Sequence, residues 1–181
     1  MRSRHDQHSH YVKVALALFW VLLVLPSTLM AGTVTIGSPS PASVTEGPAA
    51  TVSFPLAISD TIVSGFTLSY TISGTNIDGS DYNDITGIIT LTAGDNSGTV
   101  LSDIVLEIPQ EGLVEAIETF TITLVDPGNG TDSVSGSQAV AITDNDVATL
   151  DFGVAQDQTV GEAAGTVNFV VTMSASSDAV V

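Results

Sequence analysis

Apolar and hydroxyl-bearing residues alternate one by one through segment after segment of this chain. In Phe66–Ser73, Phe66, Leu68, Tyr70 and Ile72 interleave with Thr67, Ser69, Thr71 and Ser73. In Thr119–Leu124, Phe120, Ile122 and Leu124 interleave with Thr119, Thr121 and Thr123. Val52, Phe54, Leu56 and Ile58 repeat the pattern, as do Ile89 with Leu91 and Ile104 with Leu106 and Ile108. A period of two puts one set of side chains on one face of a strand and the other set on the opposite face. β-Branched threonine suits the wet face of a half-buried sheet. No stretch after residue 31 holds a helical period for three turns. Turn-forming residues separate the runs: Gly74, Gly79, Gly94-Asp95-Asn96 and Pro127-Gly128-Asn129-Gly130. Seven strand-like runs result, near 33–37, 51–58, 66–73, 87–93, 98–108, 118–125 and 137–143. The expectation is an all-β, seven-stranded, antiparallel, immunoglobulin-like sandwich over residues 32–146.

A second copy of the pattern starts directly after Asp146. Residues 148–174 match residues 34–59, with Glu162 at the place of Glu46 and Ser174 at the place of Ser59. Residues 147–181 are therefore expected to open a second repeat of a tandem array, truncated after two strands, and two strands cannot bury a core alone. At the other end, residues 1–13 are polar and basic, Val14 to Leu25 is unbroken apolar sequence, and Leu29-Met30-Ala31 leads to Gly32. That order reads as a secretory signal peptide over residues 1–31. The apolar run is shorter than the roughly 20 residues of a spanning helix, so a retained membrane anchor is the second reading. The expected location is secreted or cell-surface.

Charge narrows the chemistry further. Arg2, Arg4 and Lys13 are the only Lys or Arg, His5, His8 and His10 the only His, and there is no Cys. Of the 20 acidic residues, only Asp6 precedes residue 32. Nucleic-acid binding, which replaces counterions with Lys and Arg, is excluded. So are Cys, Lys or Ser–His nucleophiles and His or Cys zinc sites. Carboxylates, hydroxyls and backbone remain, and these suit a hard oxygen-seeking cation. In an up-and-down run of seven strands, the loops after strands one, three and five and the exit of strand seven share one end. Glu46, then Asp78, Asp81 and Asp84, then Glu111, Glu115 and Glu118, then Asp144 and Asp146 fall there. Asp60, Asp95, Asp126 and Asp132 fall at the other end, as ordinary turn acids. Two like charges 4 Å apart repel by about 4 kcal/mol at an effective dielectric near 20. With no basic residue nearby, a calcium ion is the expected neutralising partner.

The motifs Ser43-Val-Thr-Glu-Gly47, residues 79–100 (GSDYNDITGIITLTAGDNSGTV), residues 111–124 (EGLVEAIETFTITL) and residues 139–146 (AVAITDND) resemble the Calx-β domain family. The resemblance covers residues 33–146 and, as the opening of a second domain, 147–181. It implies a seven-stranded immunoglobulin-like sandwich with calcium at one end. Carried over by position, the ligands would be Glu46, Asp81, Glu111, Glu115, Glu118, Asp144 and Asp146. The chain departs from the calcium-sensing pattern at Gln110-Glu111, where that pattern has two consecutive Asp, and Gln offers only a neutral oxygen.

Other motifs are weaker. Asn76-x-Asp78-x-Ser80 imitates the start of an EF-hand loop but lacks flanking helices and the closing Glu. Asn129-Gly130-Thr131 has the form of a glycosylation acceptor but sits in a turn. Paired carboxylates also serve glycosidases, yet the aromatic residues after residue 31 mostly fall on the apolar faces of strands, with Tyr82 beside Asp81 as the one exception. The chain is read as a non-enzymatic calcium-binding module of an exported or surface protein, structural, adhesive or communicating. Calcium ions, adjacent repeats, surface proteins and glycans are its expected partners. An accessory module of a larger exported enzyme or membrane transporter is the alternative.

Overall fold

The computed structural model describes residues 31–153, 159, 161–166 and 168–177, so the expected signal peptide, apart from its last residue Ala31, lies outside the described residues. The first repeat is built from β1 (Thr33–Ile36), β2 (Ser43–Thr45), β3 (Ala50–Phe54), β4 (Leu56–Ile58), β5 (Phe66–Thr67), β6 (Ser69–Thr75) and β7 (Asn83–Asp84). It continues with β8 (Thr90–Leu91), β9 (Ile104–Ile108), β10 (Leu113–Val114), β11 (Glu118–Val125), β12 (Ser133–Ser135) and β13 (Ser137–Thr143). One sheet runs β2-β13-β11-β6. Facing it are two separate three-stranded sheets, β3-β9-β7 and β12-β1-β4, which share between them the two halves of one expected strand, β3 and β4. The all-β sandwich is therefore the observed architecture.

Local chemistry explains where the observed strands depart from the expected ones. Pro55 has no N–H to give a ladder, so the run near 51–58 changes partner there: β3 pairs with β9 and β4 with β1. The run near 98–108 becomes a strand only at Ile104. At its start, Thr99 N–H donates to the Asn96 carbonyl (2.8 Å) and Gly98 N–H to Asn96 Oδ1 (2.9 Å), which holds the first residues of the run in a turn. Two short strands, β2 and β12, pair in parallel with β13 and β1, so the sandwich is not antiparallel throughout. Gly136 permits the switch from β12 in one sheet to β13 in the other. Its φ is +112°, and an added Cβ would lie 2.9 Å from Ile36 Cγ2.

The alternating residues meet as expected. Val34, Val52, Phe54, Ile104, Leu106, Phe120, Ile122 and Ile142 are buried in one cluster. Phe54 of one sheet meets Phe120 of the other edge-on, with ring centroids 6.1 Å apart. Truncating Phe120→Ala should lower stability by about 3–5 kcal/mol, read as a fall in the urea midpoint. An unchanged midpoint would contradict this packing.

One acid at the end away from Glu46 is more than a turn former. Asp132 is buried, and its carboxylate accepts the backbone N–H groups of Gly32 (3.2 Å), Val63 (2.8 Å) and Ser64 (2.7 Å) and the Thr131 hydroxyl (3.2 Å). Burial alone would raise its pKa, but these donors outweigh burial and hold it below its ordinary value of 3.8. A lowered carboxylate pKa contributes stability above the unfolded value and loses it as pH falls through the folded one. Asp132→Ala should therefore cost about 3 kcal/mol at neutral pH. In urea melts that deficit should shrink below pH 4; a constant deficit would contradict the ionic assignment.

Candidate metal centre

At the other end, the inward-facing rows of three strands run out into carboxylates. Along β11 the buried series Leu124, Ile122, Phe120 continues to Glu118. Buried Val44 of β2 is followed two residues on by Glu46, and buried Ile142 of β13 by Asp144. The period of two that sends apolar side chains into the core sends these acids to its rim. Glu118 is 2% exposed, and Glu46 and Asp81 are each 7% exposed.

Three overlapping groups result, each with one carboxylate oxygen per residue and all such oxygens within 4.8 Å of one another: Glu46, Asp144 and Asp146; Glu46, Glu111 and Glu115; Asp81, Glu115 and Glu118. Glu46 and Glu115 each belong to two groups. All seven acids singled out in the sequence are thus brought together. Asp78 and Asp84, which the loop count also put at this end, are in none of these groups. Asp78 Oδ1 accepts Ser80 N–H (2.6 Å) and the Ser80 hydroxyl (2.5 Å). Asp84 accepts the Tyr70 hydroxyl (2.6 Å) and Thr86 N–H (3.0 Å).

Backbone contacts fix the cluster. Glu46 N–H donates to Thr143 carbonyl (3.2 Å), and Asn145 Nδ2 donates to Glu46 carbonyl (2.8 Å), which docks β2 on the Asp144-Asn145-Asp146 turn. Asp144 accepts from Glu115 N–H (2.7 Å) and Asp146 N–H (2.6 Å). Asp78 N–H donates to Asp81. Gln110 acts as a brace here: its Nε2 donates to Asn145 Oδ1 (3.0 Å) and Asp146 Oδ2 (3.1 Å), and its Oε1 accepts from Asn145 Nδ2 (2.9 Å). A carboxylate could not make the first two bonds and would add charge.

Electrostatics at Glu46 are unfavourable to an ionised carboxylate. Burial first, then Asp144, Glu111, Asp146 and Asp81, push its pKa from the ordinary 4.5 up to about 7. Its Oε2 is buried and accepts no hydrogen bond from the described residues. No Lys, Arg or His follows Lys13 to offset this charge. An all-oxygen, all-anionic donor set fits a hard divalent cation such as calcium and does not suit zinc or copper. The Asn129 sequon is engaged in its own turn: Asn129 Oδ1 accepts from Thr131 N–H (3.0 Å) and Asp132 N–H (2.9 Å).

No family model and no curated protein matches the chain. Among solved structures, the chain is similar to "Crystal structure of Apo-form Calx CBD1 domain", with 19% identity over 64% of this chain and 99% of that one and a TM-score of 0.47. It is also similar to "Crystal structure of CBD12 from CALX1.2", with 18% identity over 67% of this chain and 48% of that one and a TM-score of 0.48. Identities and scores this low do not fix a family, and the cation reading rests on the carboxylates.

The raised Glu46 pKa sets a direction for pH dependence without metal. A group whose folded pKa exceeds its unfolded value contributes fully below the unfolded value and loses that contribution as pH rises through the folded one. In chelator, stability should therefore fall as pH rises from 4.5 to 7, the window between the two values for Glu46. Glu46→Gln should flatten that fall in urea melts. A wild-type midpoint that rises across the window would contradict the electrostatic account.

Proposed function

We propose that residues 32–146 form a calcium-binding β-sandwich module of an exported protein. The observation that carries the reading is the burial of Glu46, Asp81 and Glu118 within a run of seven carboxylates in a region without one cationic side chain. Glu46, Asp144 and Asp146 would hold one ion, and Asp81, Glu115 and Glu118 another. Glu111 would join Glu46 and Glu115 between them. The ions would supply the positive charge that the sequence withholds, tying the β2 end, the loop before β11 and the exit of β13 together. The chain's own residues work as ligands and braces, and binding rather than catalysis is the role assigned.

The location outside the cell is part of the proposal. It is supported by the basic and then apolar order of residues 1–31 and by an acidic surface suited to an environment rich in calcium. A structural or adhesive role in a tandem array extends it. Extracellular modules bind calcium with dissociation constants of roughly 10⁻⁴ to 10⁻³ M. A ligand that binds only the native state stabilises it by about 2.7 kcal/mol at a hundredfold excess over that constant.

Millimolar calcium should therefore raise the melting temperature at low salt, magnesium should do less, and superimposed melts in calcium and in chelator would refute the reading. Glu115→Gln and Asp146→Asn should each weaken calcium binding by calorimetry, while Asp60→Asn at the far end should not. Equal affinities in all three variants would show that the clustered acids are not the ligands.

A further inference from the structure

The segment after Asp146 repeats the opening of the first sandwich bond for bond. β14 (Leu150–Phe152) pairs antiparallel with β15 (Val171–Met173), Leu150 opposite Met173 and Phe152 opposite Val171. β1 and β4 pair in the same register, Val34 opposite Ile58 and Ile36 opposite Leu56. The flanking bonds also match. Ser59 N–H donates to Thr33 carbonyl (2.9 Å) and Ser174 N–H to Thr149 carbonyl (3.0 Å). Gly37 N–H donates to Pro55 carbonyl (2.7 Å) and Gly153 N–H to Val170 carbonyl (2.9 Å).

The exit from the ribbon differs, because β16 (Ser176–Ser177) pairs in parallel with β10, Leu113 opposite Ser176, and so does the covering. Val34, Ile36 and Ile58 are 0%, 6% and 5% exposed, whereas their counterparts Leu150, Phe152 and Met173 are 65%, 55% and 41% exposed. Phe54 is fully buried, and Phe169, at its place in the repeat, is exposed. Among the described residues β14 pairs only with β15, whereas β1 is flanked on its other edge by β12 in parallel. A lone two-stranded ribbon with an apolar face is marginal in water, and a contiguous apolar patch of this kind marks an interaction surface.

We infer that the β14–β15 ribbon is a docking surface for a polypeptide segment with the strand pattern of residues 61–146. That segment would lie in parallel along β14 as β12 lies along β1 and would close over Leu150, Phe152 and Met173. The first sandwich is the template, because the same ribbon there is covered by those strands and by no other chemistry. A second copy of the ribbon would bring two more strands but no parallel edge partner. An anionic lipid surface would be repelled by a chain without cations beyond Lys13. The inference does not depend on the calcium reading.

The test adds the polypeptide of residues 61–146, diluted from denaturant, to the full chain. Sedimentation should show a one-to-one complex, and exchange of the Leu150 and Phe152 amides should slow by roughly a hundredfold, as for a strand inside a folded sheet. The double variant F152D/M173D should abolish both effects while leaving the melting of the first sandwich unchanged. A complex that persists in that variant would show strand exchange with the first sandwich and overturn the proposal. So would a full chain that already dimerises through the ribbon without the added segment. The variant L150V/F152I/V171L/M173I gives the ribbon the inward side chains of β1 and β4, which removes any mismatch of size. Unprotected ribbon amides in both this variant and the wild type would also overturn it.

Discussion

Mutual repulsion among carboxylates, with no Lys, Arg or His after Lys13 to relieve it, shapes one end of this sandwich and gives it its chemistry. Glu118, Glu46 and Asp144 are continuations of core rows, held at the rim by the register that buries Phe120, Val44 and Ile142. They cannot turn to solvent without breaking the alternation of their strands. Burying a charge is costly unless it is paired or bound to a metal, so the fold stores an electrostatic cost that a divalent ion would offset. Strand order, the Asn145 and Gln110 braces and the docking of β2 on β13 all serve to keep those acids in reach of one another.

The two ends of the same sandwich show how environment sets the behaviour of one kind of group. Asp132 and Glu46 are both nearly inaccessible. Donors from the backbone surround Asp132 and hold its pKa down against burial, whereas at Glu46 burial first, and then the neighbouring anions, push the pKa up. Asp132 is thereby complete as a strut between loops. Glu46 has negative neighbours and no Lys, Arg or His after Lys13 to balance them.

Much of this was legible in the residues, and the reasons are specific. Period-two alternation located the strands, and strand parity located Glu46, Asp81, Glu111, Glu115, Glu118, Asp144 and Asp146 at one end. The partners of β2 and β12 were not legible, because each is short and pairs in parallel with residues about a hundred positions away, as in Thr33 opposite Ser133. Parity also could not separate Asp78 and Asp84 from the cluster. Their bonds to Ser80, Tyr70 and Thr86 depend on side-chain geometry that spacing does not encode. Asp132 resembled any turn acid, since its donors at residues 32, 63 and 64 are remote in sequence. Gln110 looked like a lost ligand, and only the fold reveals the turn that it braces.

The most direct measurement is anomalous diffraction from crystals of the protein grown in calcium. Peaks should appear among Glu46, Asp144 and Asp146 and among Asp81, Glu115 and Glu118, at about 2.3–2.6 Å from carboxylate oxygens. Crystals grown at saturating calcium that show no peak at these acids, or peaks only beside far-end acids such as Asp60, would contradict the account.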